Sequence, residues 1–208
     1  MTTEWFNFWN SKSKDIDKLD SLFETNFDVA KSILYQLDAR KSNVLIEFGC
    51  GTGNLLSLIE NSVRTSIGLD FSSDRTSSTK AKRSEFINTD CFNCKLKDSV
   101  FDRVFSFSLF NFLTLDESIA TLEEMIRITK KDGIILVADV LKEDFERIFY
   151  FKMKDEKVQC PKLSFHKPKV FQKIISNIDR NLEVITYDTN IENYKNNDLT
   201  FSVLIHKQ

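Results

Sequence analysis

Three glycines at alternate positions, with an acid just before them, are the residues of this sequence best suited to bind a ligand. The pattern is Glu-x-Gly-x-Gly-x-Gly from Glu47, with Gly49, Gly51 and Gly53 as its glycines. Glycine allows a turn to adopt backbone angles that other residues avoid, and it lets a ligand lie against bare main chain. Amides at the start of a following helix favour electron-rich ligand groups. The pattern therefore predicts a ligand-binding turn.

The flanking residues predict a strand before the glycines and a helix after them. An apolar run at 44–48 indicates a strand buried on both faces, and residues 54–59 have a helical pattern. Strand, glycine turn and helix together form the nucleotide-binding corner of a doubly wound α/β sheet. A dinucleotide fingerprint needs a third glycine where Asn54 or Leu56 stands. A nicotinamide-dependent reductase is therefore disfavoured.

The spacing of the glycines and their flanking acid resembles motif I of the class I S-adenosylmethionine (SAM) dependent methyltransferases. The resemblance covers residues 26–208, with the sharpest motifs at 44–113. It implies an α/β fold with a doubly wound, mostly parallel seven-stranded sheet of order 3-2-1-4-5-7-6, and SAM as cofactor. The residues expected to bind SAM are Trp9, Glu47, Gly49, Cys50, Gly51, Gly53, Asn54, Asp70, Phe71, Asp90, Cys91, Ser106 and Phe107.

Asp70 ends a predicted strand at 65–70 and is the candidate for binding ribose. It lies 23 residues beyond Glu47, close to the offset of about 20 residues expected of the acid that binds ribose hydroxyls in such folds. A carboxylate suits this task because it accepts from two vicinal hydroxyls at once. An aspartate that only caps the next helix is the alternative.

The residues after the third and fourth predicted strands complete the expected cofactor site. In the resembled family an acid after the third strand accepts from the adenine amino group, which makes Asp90 the candidate and Cys91 a neighbouring amide donor. Ser106 and Phe107 would lie at the carboxyl edge of the sheet, where open α/β sheets place their ligands. An Asn-Pro-Pro-Tyr motif is absent there. Methylation of adenine N6 or of a glutamine side chain is therefore disfavoured.

The N-terminal residues 4–10 are dense in aromatic side chains. In the resembled family N-terminal helices lie over the cofactor, which implies a helical lid over residues 1–40. The alternative is that Trp5 and Trp9 only anchor the terminus by hydrophobic contact.

Periodicity, caps and turns predict the remaining elements. They are a helix after an Asn26 cap, a helix at 72–82, strands at 85–88 and 103–108, a helix opened by a Thr114 capping box and closed by 130–133, a strand at 134–140, a helix at 142–153, and strands at 182–187 and 199–206.

In the resembled family the segment at this place commonly covers the methyl acceptor, which implies that role for a basic insertion at 152–173. It has seven lysines against two acids, and a basic cover predicts an anionic acceptor, such as a phosphorylated metabolite or nucleotide-linked sugar. An ordinary solvated lysine-rich face is the alternative. A neutral hydroxyl acceptor would need a base, for which His166 is the first candidate and Asp139 the second. Either side chain could instead be structural, and an anionic oxygen would need no base.

Length and composition predict a single domain over residues 1–208, too short for two of ordinary size. The net charge is −2 and no long apolar run occurs, so we expect neither a membrane span nor, without a basic stripe, a nucleic-acid partner. Four cysteines are compatible with a reducing cytoplasm, and they offer no paired zinc motif. We expect a methyltransferase that acts on a small molecule, with oxygen favoured over nitrogen as the methylated atom. The alternative is a non-catalytic partner subunit of the same fold.

Overall fold

A computed structural model describes residues 3–11, 14–23, 25–79 and 81–208. Residues 1–2, 12–13 and 24 of the predicted lid, and Lys80 of the predicted helix at 72–82, lie outside these described residues. The strands are β1 (Val44–Phe48), β2 (Thr65–Asp70), β3 (Glu85–Asn88), β4 (Phe101–Phe107), β5 (Thr129–Leu141), β6 (Leu182–Asp188) and β7 (Thr200–Lys207).

These strands form one sheet in the order β3-β2-β1-β4-β5-β7-β6. β7 runs antiparallel to both β5 and β6, and the other neighbouring strands are parallel. The predicted order and fold class are confirmed.

Helices cover the sheet and precede it at the N-terminus. They are α1 (Thr3–Trp9), α2 (Lys14–Leu22), α3 (Phe27–Gln36), α4 (Asn54–Ile59), α5 (Ser73–Ser77), α6 (Leu115–Ile128), α7 (Glu146–Asp155) and α8 (Pro168–Ile178). Both predicted caps are confirmed. The Asn26 side chain accepts from the Val29 amide at 3.0 Å. Thr114 and Glu117 form a reciprocal capping box at the start of α6.

The central strands are buried on both faces, as parallel strands in α/β proteins usually are. Ile46, Val104 and Ile135 are register partners on the face covered by α6 and α8. Phe105 and Leu136 are register partners on the opposite face, against α3 and α4. The two cores hold the carboxyl ends of β1, β2 and β4 at one edge of the sheet.

A third hydrophobic cluster joins the N-terminal helices to α7 and the chain that follows it. Trp5, Trp9 and Leu19 pack in it with Phe149 and Leu163. The Trp5 indole also donates to a carbonyl of the basic segment, at Lys162, over 3.2 Å. The segment at 152–173 is therefore divided between the end of α7, a packed connection and the start of α8, which the sequence analysis missed.

The predicted closure of α6 at 130–133 was wrong, because the helix ends at Ile128 and β5 begins at Thr129. Thr129 pairs with Phe101 in β4, and its hydroxyl donates back to the Met125 carbonyl at 2.6 Å. β-Branched residues favour strands, and here the parallel ladder extends to the helix end. The predicted helix at 72–82 is likewise shorter, at Ser73–Ser77.

Thr114→Ala should lower the free energy of unfolding by about 1 kcal/mol, because the substitution removes the hydroxyl that caps α6. Chemical denaturation monitored by circular dichroism measures this loss. Glu123→Ala, at an exposed position of the same helix, is the control and should change stability by less than about 0.5 kcal/mol. Equal stabilities of the two variants would contradict the prediction.

Candidate functional site

The glycine turn between β1 and α4 has three left-handed residues. The φ angles are +71° at Gly49, +54° at Gly51 and +68° at Gly53, a region that side chains with a Cβ rarely adopt. The amides of Gly49 and Cys50 both donate to the Leu69 carbonyl, at 2.7 and 3.0 Å. The turn is thus bonded to the end of the neighbouring strand β2.

The turn is also crowded, so it could not accommodate larger residues. A Cβ at Gly49 would lie 2.8 Å from the Leu109 side chain, and one at Gly53 would lie 2.6 Å from the Thr79 hydroxyl. At Gly51 it would lie 2.6 Å from a guanidinium nitrogen of Arg75. At these three positions the turn therefore exposes only main-chain atoms to the groups around it.

This turn forms one wall of a cavity of about 760 Å³, a size typical of cofactor and small-molecule sites. The carboxyl ends of β1, β2 and β4 form its floor, and side chains of α1 and α2 lie across it. From the predicted cofactor set, the residues that line it are Trp9, Glu47, Gly49, Cys50, Gly51, Asn54, Asp70, Phe71, Asp90, Cys91 and Phe107.

Two residues of the predicted set do not line the cavity. Gly53 is the residue before α4 and has Thr79 and Phe86 close against it. Ser106 is fully buried within β4, because in a strand its side chain points into the sheet packing rather than out of the edge.

Asp70 shapes the turn directly. One carboxylate oxygen accepts from the Gly51 amide at 2.8 Å and the other from the Ser72 amide at 2.9 Å. Burial raises the pKa of Asp70, while these amides and the nearby Arg75 lower it. Each oxygen can accept a further hydrogen bond. Asp70 therefore binds the residue before α5 and can still accept hydrogen bonds from a ligand in the cavity.

Glu47 carries the feature that best fits an absent ligand. It is buried, lines the cavity, and its Oε2 atom has no hydrogen-bond partner among the described residues. Burial raises its pKa well above the usual range, and the charge of Asp70 raises it further. A buried acceptor without a partner is costly. A ligand ammonium, such as that of an amino acid, would satisfy it.

Asp90 and Cys91 follow β3 and line the cavity. Asp90 accepts from the amides of Phe92 and Asn93 through one oxygen, at 3.0 and 2.8 Å, and its side chain is exposed. Burial raises the pKa of the Cys91 thiol well above its usual value. In the described part of the chain, no group of three His, Cys, Asp or Glu side chains is arranged to hold a metal ion.

The structure does not bring Asp139 into this cavity. Asp139 is fully buried at the end of β5, and its carboxylate accepts from the Ser108 hydroxyl at 2.5 Å. Burial raises the pKa of this carboxyl. Ser108 does line the cavity, with a left-handed φ of +60°. Through this hydrogen bond Asp139 holds a residue of the cavity wall.

His166 also lies outside this cavity. It lines a second cavity of about 610 Å³ on the α8 side, because the chain after α7 runs past that side of the molecule. Its Nε2 atom is 3.2 Å from the Phe110 carbonyl oxygen. A carbonyl only accepts, so Nε2 carries the proton, and burial lowers the pKa of the ring. Phe112 and Leu113 line both cavities and separate them.

The charge around the first cavity differs from what the sequence suggested. None of the seven lysines of 152–173 lines it; Lys162 and Lys167 line the second cavity instead. The carboxyl side chains at the first cavity are Asp17, Asp20, Glu47, Asp70 and Asp90, and Arg75 is the single basic side chain among its described lining residues. The lysines of the basic segment therefore face the second cavity or other surfaces, and its role as a cover of the acceptor stays a prediction.

Sequence reasoning missed Arg75 and the acids of α2. Arg75 lies five residues after Asp70 in a serine-rich stretch without hydrophobic periodicity, and Asp17 and Asp20 belong to a charged stretch. The spacing of Ile16, Leu19 and Phe23, which now pack in the third cluster, is the signal that could have predicted α2 and its polar face.

Comparisons with known proteins agree with this geometry. A Methyltransferase domain family model matches residues 46–137, which include the glycine turn, Asp70, Asp90 and β4. These residues therefore form a methyltransferase domain of the class I SAM-dependent type. The match implies SAM as the methyl donor, and the unpartnered Glu47 and the glycine turn fit such a group.

Relatives of this methyltransferase support the same family. An uncharacterized methyltransferase from Anoxybacillus flavithermus is 27% identical over 135 residues, and the match spans 64% of this chain and 64% of that protein, less than two thirds of either.

Two solved structures share the fold. A chain in the complex between the Haloferax volcanii Trm112 methyltransferase activator and a methyltransferase has a TM-score of 0.74 at 15% identity, with all of both chains covered. Magnesium protoporphyrin IX methyltransferase from Synechocystis, with bound SAH, has a TM-score of 0.68 at 13% identity and covers 97% of each chain.

No helix among the described residues of this methyltransferase is both long and apolar enough to cross a bilayer.

Asp70→Asn should weaken binding of S-adenosylhomocysteine (SAH) roughly 100-fold, because the neutral amide has one acceptor oxygen where the carboxylate has two. Titration calorimetry measures the dissociation constant. Asp74→Asn, at an exposed position of α5, is the matched control and should bind as the unchanged protein does. Unaltered affinity of Asp70→Asn would contradict a ribose-binding role.

Glu47→Gln should have opposite effects on the stability of the ligand-free protein and on its affinity for SAH. A carboxyl whose pKa is raised on folding stabilises the fold at low pH, and that contribution is lost as the pH rises from the unfolded towards the folded pKa. The variant should therefore raise the Tm of the SAM-free protein more at about pH 8 than at about pH 4.

SAH should bind Glu47→Gln about tenfold more weakly, because its ammonium loses a charged partner. Thermal unfolding at the two pH values and calorimetry measure both effects, with Glu85→Gln on exposed β3 as control. A Tm difference independent of pH, with unchanged SAH affinity, would show that Glu47 does not have this role.

Proposed function

We propose that this methyltransferase transfers the methyl group of SAM to a small molecule bound beneath α1 and α2, and that the accepting group is neutral or cationic, such as an amine. The observation that carries this proposal is the charge of the glycine-turn cavity, where five carboxyl side chains and one guanidinium are found. Such a cavity attracts cations and disfavours a phosphate or carboxylate acceptor.

Three of the five acids are used by the cofactor in this proposal. Glu47 accepts from the ammonium group, Asp70 from the ribose hydroxyls and Asp90 from the adenine amino group. Two acids on α2, Asp17 and Asp20, remain for the acceptor side. Because Asp20 also bonds to Arg75, Asp17 is the acid best placed to attract a cationic acceptor.

Aromatic side chains form the rest of the acceptor environment. Phe23, Phe107 and Phe112 line the cavity near the end of β4. Their ring faces attract a positively charged group and exclude water from the reacting atoms. Ser108, positioned by Asp139, provides a hydroxyl at the same wall.

The protein's task in the reaction is to orient and enclose the reactants. SAM supplies a methyl group already activated by its sulfonium. The glycine turn and Asp70 hold the cofactor on the sheet edge, and α1 and α2 keep solvent out. A cationic amine must first release its proton to water, because an ammonium nitrogen has no lone pair. The neutral nitrogen, held in line with the methyl carbon, then bonds to that carbon as the sulfonium C–S bond breaks, and the products are a methylated ammonium and S-adenosylhomocysteine.

An anionic acceptor is the second candidate, because one observation favours it. Lys162, Lys167 and His166 line the second cavity, and Phe112 and Leu113 line both cavities. An acceptor with a phosphate in the second cavity and its reacting atom past Phe112 would use the basic segment as the sequence suggested. Glu143 and Glu146 in the same cavity weaken this alternative.

A panel of small amines and phosphorylated metabolites, assayed by SAH release, distinguishes the two candidates. We expect turnover with amines and about a tenfold higher KM for Asp17→Asn, with little change in kcat, because the acid attracts the acceptor but does not react. Asp116→Asn, at an exposed position of α6, is the control.

Turnover confined to phosphorylated acceptors would contradict the amine proposal and support the second candidate. SAH binding without turnover on any acceptor would favour a non-catalytic partner subunit.

A further inference from the structure

We propose that Arg75 is a latch that holds α1 and α2 over the cofactor cavity and couples their position to cofactor binding. This inference rests on the cofactor site described above. It concerns a residue that belongs to no part of the glycine motif and that touches both N-terminal helices from the body of the domain.

Arg75 contacts each of the two helices through a different interaction. Its guanidinium carbon lies 4.3 Å from the centre of the Trp9 ring, on α1. Its Nη2 atom donates to the Asp20 carboxylate, on α2, at 3.2 Å. A planar guanidinium can do both at once, stacking with its face and donating from its edge. One side chain of α5 therefore joins both helices to the domain.

The same guanidinium lies against the cofactor-binding turn. A Cβ at Gly51 would be 2.6 Å from Nη2, so Arg75 lies close to the bare main chain of that residue. The Gly51 amide bonds to Asp70, and the charge of Arg75 lowers the pKa of that carboxyl. A cofactor bound on Gly51 and Asp70 would meet Arg75. The latch thus has contacts on both sides, to the helices and to the cofactor-binding turn.

Coupling follows from this shared contact. If cofactor binding favours the arrangement in which Arg75 bonds to Trp9 and Asp20, then that arrangement raises cofactor affinity by the same factor. The helices have further anchors, since Trp5 packs on Phe112 with ring centres 4.9 Å apart and Asn10 accepts from the Ser72 hydroxyl. Loss of Arg75 should therefore loosen α1 and α2 without unfolding the domain.

The chain offers a direct reporter of this latch. Its two tryptophans, Trp5 and Trp9, both belong to α1, so intrinsic fluorescence reports on that helix alone. We would compare the unchanged protein with Arg75→Ala, Arg75→Lys and Asp20→Asn. Arg64→Ala is the matched control, because Arg64 is exposed and remote from the cavity lining.

Arg75→Ala should shift the tryptophan emission of the ligand-free protein to longer wavelength and weaken SAH binding about tenfold by calorimetry, equivalent to about 1.4 kcal/mol. The emission change that SAH causes in the unchanged protein should be lost in this variant. Arg75→Lys should recover part of both effects, since it keeps the charge but not the planar fork. Asp20→Asn should show the same changes at smaller size, and Arg64→Ala none.

Unchanged SAH affinity and unchanged emission in Arg75→Ala, with a Tm close to that of the unchanged protein, would overturn the latch. So would an affinity loss in which the emission response to SAH persists, because Arg75 would then act on the cofactor without the helices. Failure of the unchanged protein to bind SAH would overturn the cofactor site itself and the latch with it.

Discussion

The site depends on the carboxylate of Asp70, which binds the glycine turn to the end of β2. The turn has left-handed glycines at three alternate positions. Because glycine can adopt many backbone conformations, the turn needs other contacts to hold it in one of them. The bonds from Gly51 and Ser72 to the two oxygens of Asp70 select it. They also offset the cost of burying the carboxylate beside the sheet. The cavity takes its shape from this arrangement.

The same cavity holds more negative than positive side chains, and this has a stability cost in the free protein. Glu47 is buried with an unpartnered oxygen, and the charge of Asp70 opposes its ionisation. Buried groups of this kind occur where a ligand completes the hydrogen bonding. Arg75 is the counter-charge, and its contacts to Trp9 and Asp20 place it between the fixed sheet edge and the N-terminal helices.

The segment at 152–173 has a buried side and an exposed side. Its apolar residues Met153, Val158 and Leu163 belong to the same hydrophobic cluster as the tryptophans of α1. Lys154 and Lys157 stay exposed. The net charge of the segment describes the solvent side, while its apolar side supports the helices that lie over the cavity. Charge counted along the chain could not separate these two surfaces.

The sequence by itself determined the glycine turn, the position of Asp70 at a strand end, and the caps at Asn26 and Thr114, because backbone angles and short-range hydrogen bonds decide these features. Resemblance to the family supplied the strand order. Only the tertiary structure decided that Asp139 faces Ser108, that His166 lines a separate cavity, and which charges surround the turn. Those outcomes depend on the directions in which packed elements turn their side chains, and distant parts of the chain set those directions.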